Sequence, residues 1–189
     1  MPQFSNEAPP ESTRPGFRLI RTPAQRSVVA IVTCDDLVGC PTHFYRNRTL
    51  PCEAPNCEPC NTGHAWRWHG YVSCVDQSSH EHILFEMTAQ ASDAFRDYRK
   101  EHNTLRGCLF KASRVSFRYN GRVVIRCKPA DLAGVTLPGP PNIPVMLCHI
   151  WNIPTPDVKT NGKSKGHPKL AVDRARDGDG QERIPSHAR

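Results

Sequence analysis

Apolar and polar positions alternate through most of the middle of the chain and switch once to helical spacing. Ser27–Thr33 is a β-branched run carrying Val28, Val29, Ile31 and Val32, which predicts a strand. Ala65–Val75 and Ile83–Thr88 predict two more. Ala91, Ala94, Phe95, Tyr98 and Leu105 then recur at helical spacing, with Ser92 or Thr88 placed to cap the start. This predicts a helix over about 90–102. Strands over about 108–118 and 122–128 follow, around Tyr119-Asn120-Gly121, and Pro129 stops the second. Ile143–Ile153 predicts one more strand or an extended segment.

The flanks have a different composition. Residues 1–25 hold Pro2, Pro9, Pro10, Pro15 and Pro23 with little periodicity, the pattern of a disordered arm. Residues 154–189 carry almost no large apolar side chains; from 155 on there are eight basic and five acidic residues, which predicts a disordered, weakly basic tail. A single folded core over 26–153 remains, and it explains an apolar content of only 38%. The expected fold is mainly β with one helix (α+β). Its order is strand, loop, strand, strand, helix, strand, strand. A helix between the third and fourth of five strands predicts an OB-like five-stranded barrel.

The loop after the first strand carries the clearest chemistry. Cys52-x4-Cys57-x2-Cys60, with His43 upstream, offers three thiols and an imidazole to one tetrahedral zinc ion. The two-residue gap lets Cys57 and Cys60 reach the same metal, and Pro51, Pro55, Pro59 and Gly63 suit a loop wrapped around it. His43, Cys52, Cys57 and Cys60 are the expected ligands of a structural Zn2+, with Cys40 and His64 as the alternatives for the fourth position. Four protein ligands leave no open position for water. No His-x-Glu precedes Cys57, and His80-Glu81-His82 lacks the spacing of a zinc-protease helix. The expected protein is therefore not an enzyme, and no small-molecule substrate is implied.

Formal net charge is +7, which favours an anionic partner. Arg106, Lys111, Arg114, Arg118, Arg122, Arg126 and Lys128 crowd a segment without an acidic residue. A three-residue loop at Tyr119-Asn120-Gly121, with Gly121 left-handed, would pair Arg118 with Arg122 and Arg114 with Arg126. Like charges opposed across a ladder are destabilising unless an anion lies between them, and a polyphosphate backbone is such an anion. The competing reading is a solvated strand face whose arginine stems cover apolar surface. On the strand after the zinc loop, Trp66 and Trp68 share a face with Val72 and Cys74, while Arg67, His69 and Tyr71 share the other. With the tryptophans in the core, Arg67 and Tyr71 are the exposed pair beside the arginine hairpin. Phe85 and Phe110 are expected in the core.

Nine cysteines, an odd number, with no apolar leader at the start, argue against a disulfide framework and for a reducing, cytoplasmic setting. No apolar run approaches the roughly 20 residues of a membrane helix.

The ligand order His, Cys, Cys, Cys ending in Cys-x2-Cys, inside an OB-like barrel, resembles the zinc-containing OB-fold single-stranded DNA-binding proteins of T-even phage type. The resemblance implies zinc on His43, Cys52, Cys57 and Cys60 and a DNA cleft supported by the zinc subdomain. Residues 26–130 also look like an uncharacterised group of bacterial and mobile-element proteins. They share with it Arg-Thr-x-Pro-Cys at Arg48–Cys52, the Cys-x2-Cys, Arg-Trp-x-Gly-Tyr at Arg67–Tyr71 and Leu-Arg-Gly at Leu105–Gly107. The expected function is binding of single-stranded DNA or RNA through Arg67, Tyr71, Arg106, Lys111, Arg114, Arg118, Tyr119, Arg122, Arg126 and Lys128. The alternatives are an adaptor for an acidic protein partner and, further off, a metal-dependent nucleic-acid enzyme.

Overall fold

The structure is a computed structural model, and it describes residues 17–155. Its strands are β1 (Leu19–Arg21), β2 (Val28–Val32), β3 (Val38–Tyr45), β4 (Arg48–Pro51), β5 (Arg67–Asp76), β6 (His82–Thr88), β7 (Cys108–Arg114) and β8 (Val123–Pro129). Three helices join them: α1 (Glu58–Asn61), α2 (Asp93–His102) and α3 (Ile143–Trp151). The fold is mainly β with few helices, as the pattern of the chain implies.

All the strands belong to one open sheet, ordered β1-β6-β5-β2-β7-β8, with β3 on β5 and β4 on β3. Strand β5 has two partners on one edge. Its first half, Arg67–Tyr71, pairs with β3, and its second half, Cys74–Asp76, pairs with β2. The β3–β4 hairpin therefore branches off the main sheet. A barrel of β2, β5, β6, β7 and β8 would close by pairing β6 with β8, and that pairing is absent among the described residues. The outer edge of β6 is instead taken by β1, running parallel with Leu19 opposite Leu84.

The core forms where strand alternation meets α2. Val72, Cys74, Ile83 and Phe85 are fully buried, and Val72 lies opposite Phe85 across the β5–β6 ladder. Phe110 of β7 packs its ring 4.9 Å from Phe85 and 5.1 Å from Phe95 of α2. Centroids at these distances suit tilted and edge-on aromatic contacts. Helix α2 ends at Asn103, which takes the left-handed conformation (φ 62°) tolerated by asparagine. On the other side of β5, the Trp151 ring of α3 stands edge-on to Tyr71 at 5.9 Å.

Four expectations change. The arm over 1–25 contributes β1, while residues 1–16 lie outside the described residues, as does the tail beyond 155. The segment expected to wrap zinc as irregular chain holds a hairpin and a short helix. Residues 143–151 are a helix and not a strand: Ile143, Leu147 and Trp151 are buried at spacings of four, and the Asn142 side chain accepts the Val145 N–H at 3.2 Å.

The fourth change is the β7–β8 register. Arg114 pairs with Val123 and Lys111 with Arg126. A single 3-10 turn at Val115–Phe117 ends the first strand early, with Ser116 and Phe117 at positive φ (55° and 51°) in place of the expected Gly121. Gly121 answers to proximity: a Cβ there would sit 2.5 Å from the Val115 carbonyl oxygen.

The Phe85–Phe95–Phe110 cluster joins three elements, so Phe110→Ala should leave a cavity that the sheet cannot collapse around. The expected loss is about 3–5 kcal/mol, read from urea unfolding followed by far-ultraviolet circular dichroism.

Candidate metal centre and basic cleft

The four expected ligands converge. The side-chain donor atoms of His43, Cys52, Cys57 and Cys60 all lie within 4.8 Å of one another. The local fold explains how. His43 stands on β3 opposite Leu50, so the end of β4 returns beside it. The Cys52 N–H then bonds the Pro41 carbonyl at 2.9 Å, which holds the first thiol by the imidazole. Cys57 caps α1 and Cys60 lies within it, with the Asn61 N–H on the Cys57 carbonyl at 3.0 Å. Glu58 of α1 accepts from Tyr45 at 2.9 Å and Arg46 at 2.8 Å, which ties the helix to the β3–β4 turn.

The spacing suits a metal. Cys60 Sγ is 3.3 Å from His43 Nε2 and 3.6 Å from Cys52 Sγ. Zinc bonds of about 2.0–2.3 Å in a tetrahedron give ligand–ligand edges of about 3.3–3.8 Å. His43 is buried to 1% exposure and directs Nε2 to the cluster. Neither alternative fourth ligand belongs to the cluster among the described residues. His64 bonds the Thr62 hydroxyl at 3.0 Å and stands edge-on to Tyr45. Cys40 lies beside Glu86 and Cys148, where burial pushes its thiol up to about 11. The donor set fits a structural metal ion, and zinc is consistent with it.

A cleft of about 500 Å³ lies between this module and the base of the β7–β8 hairpin. Phe44 and His64 come from the module side, Arg67 and His69 from β5, Arg21 and Glu86 from β1 and β6, and Arg114 and Val123 from the hairpin. Glu86 is buried and accepts from Arg21 Nε at 2.6 Å, while Arg21 Nη2 donates to the Thr49 hydroxyl at 2.5 Å. Arg114 donates from Nε to the Thr22 carbonyl at 3.0 Å and from Nη1 to the Gly121 carbonyl at 3.1 Å. His69 Nδ1 lies 2.5 Å from the Thr42 hydroxyl, and Nε2 is 3.9 Å from Glu86. Burial holds His69 below its ordinary pKa, against the pull of Glu86 and together with Arg21 and Arg67. Arg67 is exposed and forms no ion pair among the described residues.

The expected nucleic-acid contacts fall into three groups. Arg67 and Arg114 line the cleft. Lys111 and Arg126 oppose each other across the outer face of β7–β8, with Lys128 exposed beside them. Arg118, Tyr119 and Arg122 sit at the exposed hairpin tip. The change of register moved Arg114: it now shares the inward face with Ala112 and Phe110 rather than the face of Arg126.

Two residues leave the set. Tyr71 is fully buried, and burial together with the neighbouring Glu86 carboxylate pushes its phenol pKa up. Arg106 binds backbone instead: its guanidinium donates to the carbonyls of Thr33, of Leu137 at 2.9 Å and of Pro138 at 3.0 Å. The tryptophans expected in the core are also elsewhere. Trp66 is 58% exposed. Trp68 is half-buried, with its ring against Gly39 and Gly70 and the Arg96 guanidinium 5.1 Å above it. Sequence reasoning missed Phe44, Arg21 and Glu86. The alternation of Thr42, His43 and Phe44 held a signal for the first, since a ligand at His43 turns Phe44 to the other face.

Comparisons with family models, with curated proteins and with solved structures return no match. No helix among the described residues is long and apolar enough to cross a membrane.

The purified protein should carry one zinc per chain by elemental analysis. Cys60→Ser should lose it, and chelation of the wild type should open three further thiols to a colorimetric reagent while the far-ultraviolet spectrum of the main sheet persists. Retention of stoichiometric metal by Cys60→Ser would remove Cys60 from the ligand set.

The His69 shift sets a pH dependence. Burial disfavours the imidazolium in the fold, so the unfolded chain takes up the proton first as pH falls. His82 is shifted in the same direction. Stability should be level above the ordinary value of 6.5 and should decline as pH drops below it. His69→Gln should flatten part of that decline in denaturant titrations run from pH 8 to pH 5.

Proposed function

We propose that the chain is a non-enzymatic binder of single-stranded nucleic acid, built on an OB-like sheet and braced by a structural zinc ion on His43, Cys52, Cys57 and Cys60. The observation that carries the reading is the cleft. It is lined by Arg21, Arg67 and Arg114, with the buried Glu86 carboxylate bonded to Arg21, and carries an exposed ring, Phe44 at 66%, on its rim. Single-strand binders need this combination of cationic groove and aromatic platform, because every base has a face to stack. The opposed Lys111–Arg126 pair supplies a second cationic surface, on which a phosphate would relieve the like-charge contact.

Catalysis is not implied. His64, His69 and the Oε1 of Glu86, acid–base groups of the cleft, are each held by protein partners. The nine cysteines are all unpaired, which suits a reducing cytoplasm.

Anisotropy titration of a labelled 15-mer single strand should show binding that weakens steeply with salt, each phosphate contact contributing about 0.7 to the log–log slope. Arg67→Ser should reduce that slope by about one such contact and lower affinity several-fold, with circular dichroism unchanged. An unaltered slope would remove Arg67 from the interface. Polyglutamate displacing the strand at equal charge concentration would assign the cleft to an acidic protein partner.

A further inference from the structure

The tip of the β7–β8 hairpin exposes more apolar surface than a solvated turn needs. Val115 is 48%, Phe117 56% and Tyr119 82% exposed. The tip is also built to hold its shape. The Val115 N–H bonds the Arg122 carbonyl at 2.9 Å, the Gly121 N–H bonds the Arg118 carbonyl at 2.9 Å, and Arg114 clamps the Gly121 carbonyl from below. Ser116 and Phe117 both adopt positive φ, a conformation costly for side chains larger than glycine. Strain that presents aromatic rings to solvent calls for a partner.

Charge complementarity identifies its chemistry. Arg118 and Arg122 flank the rings and form no ion pair among the described residues. Position narrows it further. Arg114 and Val123, at the root of the tip, are also walls of the cleft, so one polyanion can run from one to the other. Resting on the single-strand reading of the cleft, we infer that the 115–122 tip is a stacking wedge for the junction between single-stranded and duplex nucleic acid. A strand leaving the duplex enters the cleft. Phe117 and Tyr119 stack on the first base pair, and Arg118 and Arg122 hold the phosphates of the two strands as they part.

The test compares a 12-nucleotide single strand, the same strand as a 3′ or 5′ tail on a duplex, and the blunt duplex, with 2-aminopurine at the first paired position. The wild type should bind one tailed duplex about tenfold more tightly than the tail alone, the worth of one stacked ring. The 2-aminopurine emission should rise as its neighbour unstacks. Phe117→Ser should lose both effects yet bind the tail within about twofold of wild type, and Phe117→Tyr should retain them. This side chain is exposed, so the variants should fold, with circular dichroism as the check. Equal affinity for tail and tailed duplex without an emission change overturns the wedge and leaves the cleft reading standing. So does a junction preference that survives Phe117→Ser. Failure to bind the tail at low salt overturns both. Tip-dependent binding to vesicles of one-third phosphatidylglycerol, without junction preference, overturns the wedge in favour of a lipid surface.

Discussion

The split pairing of β5 is the constraint on which the rest depends. One strand hydrogen-bonds β6 along its length, yet shares its other edge between β3 at Arg67–Tyr71 and β2 at Cys74–Asp76. Two strands cannot occupy the same edge at the same height, so β3 must diverge from β2. That divergence carries the β3–β4 hairpin clear of the Phe85–Phe95–Phe110 core, and a cleft opens where the two halves of the sheet part. Arg67 and His69 face the cleft because they belong to the half of β5 that the core does not cover.

The separation also leaves the hairpin with little core of its own. Its buried side chains are Thr42, His43, Cys57 and Pro59, while Phe44 points to solvent. Such a module has almost no apolar area to bury, and its folding free energy must come from elsewhere. A metal ion held by three thiolates and an imidazole would supply it, since metal binding and folding of such a site are one equilibrium. The donors are drawn from β3, the end of β4 and both ends of the Cys-x2-Cys turn, so an ion held there would close the module at every connection.

What was legible in the sequence follows from how local each signal is. The Cys52-x4-Cys57-x2-Cys60 spacing is a short-range constraint, and the donor atoms do converge. Strands β2, β5, β6, β7 and β8 and helix α2 were readable because their periodicity is set within a few residues; β1, β3 and β4 were not. The register of β7 against β8 was not. It depends on the 3-10 turn at Val115–Phe117, which neither the Asn-Gly pair nor the arginine alternation announces. A shift of three positions is odd, so it exchanged the faces and took Arg114 from the outer surface into the cleft. Tyr71 was misplaced for a related reason. Both faces of β5 are covered at its centre, one by the core and one by Trp151 of α3, and alternation assumes one covered face. Helix α3, read as extended chain, hid the cover.

Preorganisation links these features. The carboxylate of Glu86 is buried and bonded by Arg21, and Arg21 reaches on to Thr49 of β4. One guanidinium thus ties the edge strand β1 to both the main sheet and the metal module. Arg114 repeats the device on the opposite wall, joining Thr22 after β1 to Gly121 in the hairpin tip. Each arginine spends two of its five donors on the scaffold and keeps the others. Held in place, the remaining donors lose little side-chain entropy when an anion arrives. The two clamps meet at Arg21 and Thr22, the end of a strand only three residues long. Its place in the fold is therefore held by the same side chains that charge the cleft, and an anion arriving there would meet a wall that the protein has already fixed.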